Sequence, residues 1–145
     1  ARGEPVDASE LWSAMVSDQF FRAPAARFAA LQANHTADIY AYLFCWESAI
    51  AALGSPHAIE LPFVFGTFDV PMVDMFAGSG PEAEGLCAVV QDAWLAFVRT
   101  GDPSTDALGA WPRYDPSRRT TMVLGPECRS EEGPAADELA VWVAP

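Results

Sequence analysis

The sequence predicts an α/β chain, mostly helical, with about two strands of a central sheet. Three observations carry this. Residues 82–100 hold a long amphipathic helix, in which Leu86, Val89, Val90, Ala93, Trp94, Phe97 and Val98 fall at i, i+3, i+4, i+7, i+8, i+11 and i+12, a single stripe. Residues 39–46 run from Ile39 through Tyr40, Tyr42, Leu43 and Phe44 to Trp46, apolar on both faces and rich in aromatics. That pattern suits a central strand covered on each side, as in a parallel sheet. Residues 120–124 form a second β-prone run that stops at Gly125 and Pro126.

The remaining elements follow in chain order. Ser9 is placed to cap a helix over residues 9–21, where Leu11, Trp12, Met15, Val16 and Phe20 keep helical spacing. Arg22-Ala23-Pro24 restarts an alanine-rich helix that runs to about residue 33. Proline is tolerated in a first turn, where the N–H it lacks has no partner anyway. Asn34-His35-Thr36 is a turn, and His35 is most simply a turn residue. Leu53-Gly54-Ser55-Pro56 is loop chemistry, and His57 follows at once. Residues 58–65 are strongly apolar with Pro62 inside, which predicts a short helical turn that breaks. Residues 66–80 read as loop and short helix around Val70-Pro71-Met72.

Ser79 and Glu82 have capping-box spacing at the start of the long helix. Gly101 followed by Pro103 is its stop signal. Residues 102–115 are loop around Trp111-Pro112, and after residue 126 the chain is polar until a short amphipathic stretch at 139–142. There is no internal repeat and no low-complexity segment. Two strands do not make a stable sheet, and a strand buried on both faces needs neighbours. Those neighbours come from a larger parent chain or from an oligomer that shares its sheet.

Bulk composition narrows the partners. The chain of 145 residues fits one domain, spanning 1–145 as a single unit, and its hydrophobic share of 51% marks it as globular rather than disordered. The net charge is −12, and all 8 basic residues are arginines. No basic patch exists to track a phosphate backbone, so nucleic acid is excluded as a partner. An anionic membrane surface repels such a chain, and no apolar run approaches the ~20 residues that span a bilayer. The stretch from Ala1 to Pro5 lacks the apolar core of a signal peptide. Cys45, Cys87 and Cys128 are far apart in sequence and form no C-x-x-C pair, which removes support for zinc or thioredoxin-like chemistry. Their odd number points to a reducing compartment, with the cytoplasm favoured.

Four blocks resemble one family. The first is Ser17-Asp18-Gln19-Phe20-Phe21-Arg22-Ala23-Pro24-Ala25-Ala26-Arg27, similar to a pattern D-x-x-F-R-x-P-x-x-R. The second is Leu53-Gly54-Ser55-Pro56-His57-Ala58-Ile59-Glu60-Leu61-Pro62-Phe63-Val64-Phe65-Gly66, similar to L-G-x-x-H-x-x-E-L-P-F-V-F-G. The third runs from Gln91 through Trp94 and Arg99 to Pro103, and the fourth joins Trp111-Pro112-Arg113-Tyr114-Asp115 to Arg119-Thr120-Thr121-Met122. In this order and spacing they resemble the C-terminal third of bacterial type-B carboxylesterases, the family of the para-nitrobenzyl esterases and cholinesterases.

The resemblance implies the C-terminal portion of an α/β-hydrolase fold. It also implies ester hydrolysis by a serine, an acidic residue and a histidine, which occur in that chain order. Only the last member is here. No G-x-S-x-G occurs, the glycine-rich oxyanion loop is absent, and the triad acid is expected before residue 1. This reading makes the chain a fragment that is inactive alone. No metal or organic cofactor is required.

His57 is the candidate catalytic residue. As general base it would take the serine proton during attack and then return it, as general acid, to the leaving alcohol. Imidazole suits the role because its pKa lies near neutrality. The plainer reading is a surface-loop histidine after Ser-Pro. Glu60, three residues on, is implied by the resemblance to sit in a buried polar network behind His57, fixing charge and water there without being the triad acid. The alternative is an exposed glutamate at a helix start, favoured by the dipole. Phe63, Phe65 and Phe68 either wall an apolar ester pocket or pack as core. Trp94 and Phe97 read as core, Asp18 and Arg22 as a structural ion pair, and Cys45 and Cys87 as inert thiols. The close carboxylates Glu82/Glu84, Glu131/Glu132 and Asp137/Glu138 read as solvated.

Three functional readings follow. In the first, the chain supplies His57 to a serine carboxylesterase acting on a small-molecule ester, with the N-terminal remainder as its partner. In the second, it belongs to a non-enzymatic interaction protein of the same fold. In the third, it is a fragment that self-associates.

Overall fold

The computed structural model describes residues 7–142. The elements in order are α1 (Ala8–Ser17), a wide π-helical turn (Asp18–Arg22), α2 (Ala23–Gln32), β1 (Tyr42–Phe44) and a single 3-10 turn (Ala51–Leu53). They are followed by α3 (Leu61–Phe65), α4 (Val73–Ala77), α5 (Pro81–Thr100), β2 (Thr120–Leu124), β3 (Arg129–Glu132) and α6 (Ala136–Leu139). β2 lies between the other two strands, parallel to β1 with Tyr42 opposite Met122, and antiparallel to β3 with Thr120 opposite Glu132.

The sheet therefore has three strands among the described residues, not two. β3 escapes sequence reading because Arg129, Ser130, Glu131 and Glu132 include no apolar residue. It is a charged edge strand, largely exposed, and needs none. The strand covered along its whole length is β2, not the expected run at 39–46. β1 is shorter than residues 39–46, and Tyr42 is exposed. Its ladder extends by one bond at each end, with Met122 N–H donating to the Ala41 carbonyl at 2.9 Å and Cys45 N–H to the Leu124 carbonyl at 2.7 Å. Earlier in the run, Tyr114 N–H donates to Ile39 at 2.7 Å, so that end pairs with the 102–115 loop instead. β1 and the residues just before it meet α5 through edge-on contacts of Tyr42 with Trp94 at 5.1 Å and Tyr40 with Phe97 at 5.9 Å.

The core lies where α3 and α5 meet the sheet. Phe63 is fully buried and touches Phe44, Trp46 and Phe68 at ring-centre distances of 5.1, 5.2 and 5.0 Å. Ile59, Leu86, Val90, Met122 and Leu124 close around it. α5 buries Ala83, Leu86, Val90 and Ala93. Its stop is as expected: Gly101 is left-handed, and its N–H reaches the Phe97 carbonyl at 2.8 Å. Its start differs, because Gly80 holds the cap position and no side chain caps it. With Pro81 first in the helix, one fewer donor needs a cap, and Glu82 and Glu84 complement the dipole. The helix near Val70 also comes slightly later, as α4.

The expected break at Arg22 is not a break. Ser9 lies inside α1, whose cap position is Asp7, and the helical path runs on through Gln32. Pro24 has no N–H to donate, and in a regular helix its ring would strike the carbonyl of Phe20. The turn just before it widens, so that Ala23 N–H reaches the Asp18 carbonyl five residues back. That bulge keeps the helix going past the proline. The expected ion pair forms inside it, between the buried Asp18 carboxylate and Arg22.

Candidate active site

The path from the sheet to His57 is tied down at each step. Beyond β1, the Trp46 indole N–H donates to the Ala77 carbonyl at 2.7 Å, and the Ser48 hydroxyl donates to Phe76 at 2.6 Å. Ser48 N–H closes the loop onto the Gly54 carbonyl at 2.7 Å. The Ser55 hydroxyl then donates back to the carbonyl of Phe44, the last residue of β1, at 3.1 Å. His57 thus stands just past the carboxyl end of a parallel strand, where open α/β sheets place their ligands.

His57 sits at the second position of a tight turn. Ile59 N–H donates to the Pro56 carbonyl at 3.2 Å, and Ala58 takes a positive φ of 70° at the third position. A turn of that kind favours glycine there, so the alanine holds strain next to the histidine. Ile59, with 1% of its surface exposed, anchors the far side of the turn in the core. The result presents His57 at the surface on a base fixed by Ile59 and Phe63.

One face of the imidazole is covered. Phe21, from the wide turn between α1 and α2, stacks on His57 with ring centres 4.4 Å apart and planes inclined by 26°. None of the side-chain hydrogen bonds among the described residues uses a ring nitrogen of His57 or the Glu60 carboxylate. Glu60 stands at the cap position of α3 and is half-buried. It does not contact His57 by a hydrogen bond, and the Tyr42 phenol is pushed up first by burial and then by Glu60.

The other candidates sort by burial. Phe63 and Phe68 are core, whereas Phe65 is largely exposed. Trp94 is half-buried against Trp111, but Phe97 lies nearly at the surface, so the stripe on α5 is core only over part of its width. Cys45 and Cys87 are half-buried, and burial raises both thiols above their ordinary range. Glu131 and Glu132 pair with Arg129 and Arg118 rather than with each other. His35 is a turn residue, its N–H on the Gln32 carbonyl at 2.8 Å. Among the described residues, no helix is long and apolar enough to cross a membrane.

The arrangement of blocks around this turn has close counterparts. A profile described as "Carboxylesterase family" matches residues 1–142. The chain belongs to the carboxylesterase family. It is 35% identical over 125 residues to para-nitrobenzyl esterase of Bacillus subtilis (strain 168), covering 86% of this chain and 25% of that protein. It is 34% identical over 131 residues to phenmedipham hydrolase of Pseudarthrobacter oxydans, covering 83% of this chain and 26% of that protein. Among solved structures, a Geobacillus stearothermophilus carboxylesterase superposes with a TM-score of 0.83 and 36% identity, over 97% of this chain and 29% of that one. The fold is therefore that of the α/β-hydrolase carboxylesterases. This carboxylesterase chain spans about a quarter of the length of the curated relatives it matches.

Sequence reasoning missed Phe21. Its contact with His57 joins segments far apart in the chain, and no local pattern encodes such a pairing. The one available signal was Pro24 within an otherwise helical stretch, which forces a distortion in the turn that carries Phe21.

Proposed function

We propose that this chain supplies the histidine of a serine carboxylesterase, with His57 as the proton shuttle. The observation that carries the reading is the seat of His57. It stands in the block Leu53–Gly66, just past the end of β1, in a chain of the carboxylesterase family. In the first half of the reaction His57 accepts the serine proton as the hydroxyl attacks the ester carbonyl, then protonates the departing alcohol. In the second half it accepts a proton from water, which attacks the acyl-enzyme, and returns that proton to the serine. Serine and acid come from the remainder of the protein. Glu60 holds negative charge beneath the turn without taking part in proton transfer.

The test is to mix para-nitrophenyl acetate with this chain alone and with the chain joined to the segment that carries the nucleophile. The joined protein turns over and the chain alone does not. Turnover by the chain alone at the rate of the joined protein would overturn the reading.

One observation favours a second reading. Trp12, Phe20, Phe28, Leu31, Phe65, Met72 and Met75 are all more than half exposed. So much apolar surface points to a covering partner. In the preferred reading the remainder of the esterase covers it, and in the second a further copy of this chain does. Light scattering on the purified chain separates them.

A further inference from the structure

We infer that Phe21 is a positioning residue for His57, holding the imidazole by its face so that both nitrogens stay available. The inference rests on the reading of His57 as the proton shuttle. A shuttle histidine needs one ring nitrogen for the orienting acid and the other for the nucleophile, and both lie on the ring edge. Any protein group that fixed the ring through a hydrogen bond would occupy one of them. A stacked ring does not. The Phe21 and His57 centroids are 4.4 Å apart with planes 26° from parallel, a face-to-face contact rather than an edge-on one.

The turn beneath His57 fixes the backbone, and among the described residues no side-chain hydrogen bond and no other aromatic ring holds the imidazole. Ile59 and Phe63 anchor the chain on the far side of the turn and leave the imidazole exposed. The contact also suits the charge that develops during catalysis. As His57 takes the serine proton it becomes an imidazolium, and an aromatic face attracts a cation. Phe21 would thus stabilise the charged histidine at the moment when it forms, without accepting or donating a proton.

The placement of Phe21 depends on the wide turn. A regular helix advances about 100° per residue, so the extra residue in Asp18–Arg22 reorients every side chain near it by about that angle relative to α2. The Asp18–Arg22 pair braces this turn from within. Widened turns of this kind recur at functional sites.

The experiment uses the full-length protein and para-nitrophenyl acetate over a range of pH, with F21L, F21W and H57N. The expected result is a roughly three- to ten-fold loss of kcat in F21L, with KM within about two-fold of the parent. Without the stack the imidazolium loses the aromatic face that attracts it. The acidic limb of kcat/KM then moves to lower pH by roughly half a unit. F21W, which keeps an aromatic face, restores most of kcat and the parent's acidic limb. A purely structural role for Phe21 would lower kcat through loss of folded protein and leave the pH profile in place. Parent-like kcat and pH profile in F21L, with H57N inactive, would overturn the inference and leave the function standing. An active H57N would instead overturn the reading of His57 itself.

Discussion

The molecule divides into a body and an arm. The body, made of the sheet with α3 and α5, closes around Phe63 with aromatic contacts on several sides. The arm, α1 through α2, buries only Asp18 and Ala23 and leaves Trp12, Phe20 and Phe28 mostly in solvent. It meets the rest of the chain through Phe21 on His57, Arg27 on the Trp142 carbonyl, and the wide turn against α6, among other contacts. Both regions have apolar stripes, so composition does not separate them. What separates them is whether the stripe has found its partner within the described residues. The proposed shuttle histidine lies on their seam, its backbone held by the body and its ring covered by the arm.

The largest expected difference between the regions is in stability. Replacing Phe63, which is fully buried, by alanine should cost the isolated chain roughly 3–5 kcal/mol in a urea unfolding experiment. Phe28→Ala in the arm, at 69% exposure, should cost less than about 0.5 kcal/mol in the same chain. In the full-length protein the second figure should rise severalfold if the remainder of the fold covers the arm. Equal costs for the two variants in the isolated chain would erase the distinction.

A smaller effect tests the seam. Ala58 holds its positive φ of 70° beside His57. Glycine removes that strain, so Ala58→Gly should raise stability by about 1 kcal/mol, read as an increase in melting temperature. A decrease would show that the alanine side chain contributes more by packing than its backbone loses.

The smallest effect lies at the outer edge of the body. The Asp115 carboxyl is held well below the usual carboxylate range, first by the Ser117 hydroxyl and then by Arg118, which also reaches Glu132 on β3. Its folded-state pKa is depressed, so its contribution is complete above the unfolded value of about 4 and fades as pH falls below it. Melting temperatures between pH 5 and pH 2 should therefore fall less steeply in Asp115→Asn than in the parent. Parallel curves would mean that this solvent-exposed cluster adds nothing.

The parts of the fold that were legible in the sequence are those whose local pattern matches their final environment. α5 was legible from its stripe and from Gly101, and β2 from an apolar run that is in fact buried. β3 was not, because a charged edge strand looks like a loop until a neighbour pairs with it. β1 misled in the other direction. Its aromatics are apolar enough for a covered strand, but Tyr42 remains open among the described residues. The wide turn was hidden because Pro24 signals a distortion without saying whether the helix ends or widens. Around the candidate site, the loop that leads to His57 and the short helix that follows it were legible from Gly54, Pro56 and Pro62. The effect of Glu60 on Tyr42 was not legible, because it joins residues far apart in the chain. The Phe21 stack was not legible at all, being a contact across the seam.

The central claim is that His57 carries the proton. The most direct measurement is the rate of para-nitrophenyl acetate hydrolysis by the full-length protein and its His57→Asn variant at neutral pH, with both shown to be folded. Removing a shuttle histidine should lower kcat at least roughly a thousand-fold. A variant that keeps kcat within about ten-fold of the parent would contradict the account.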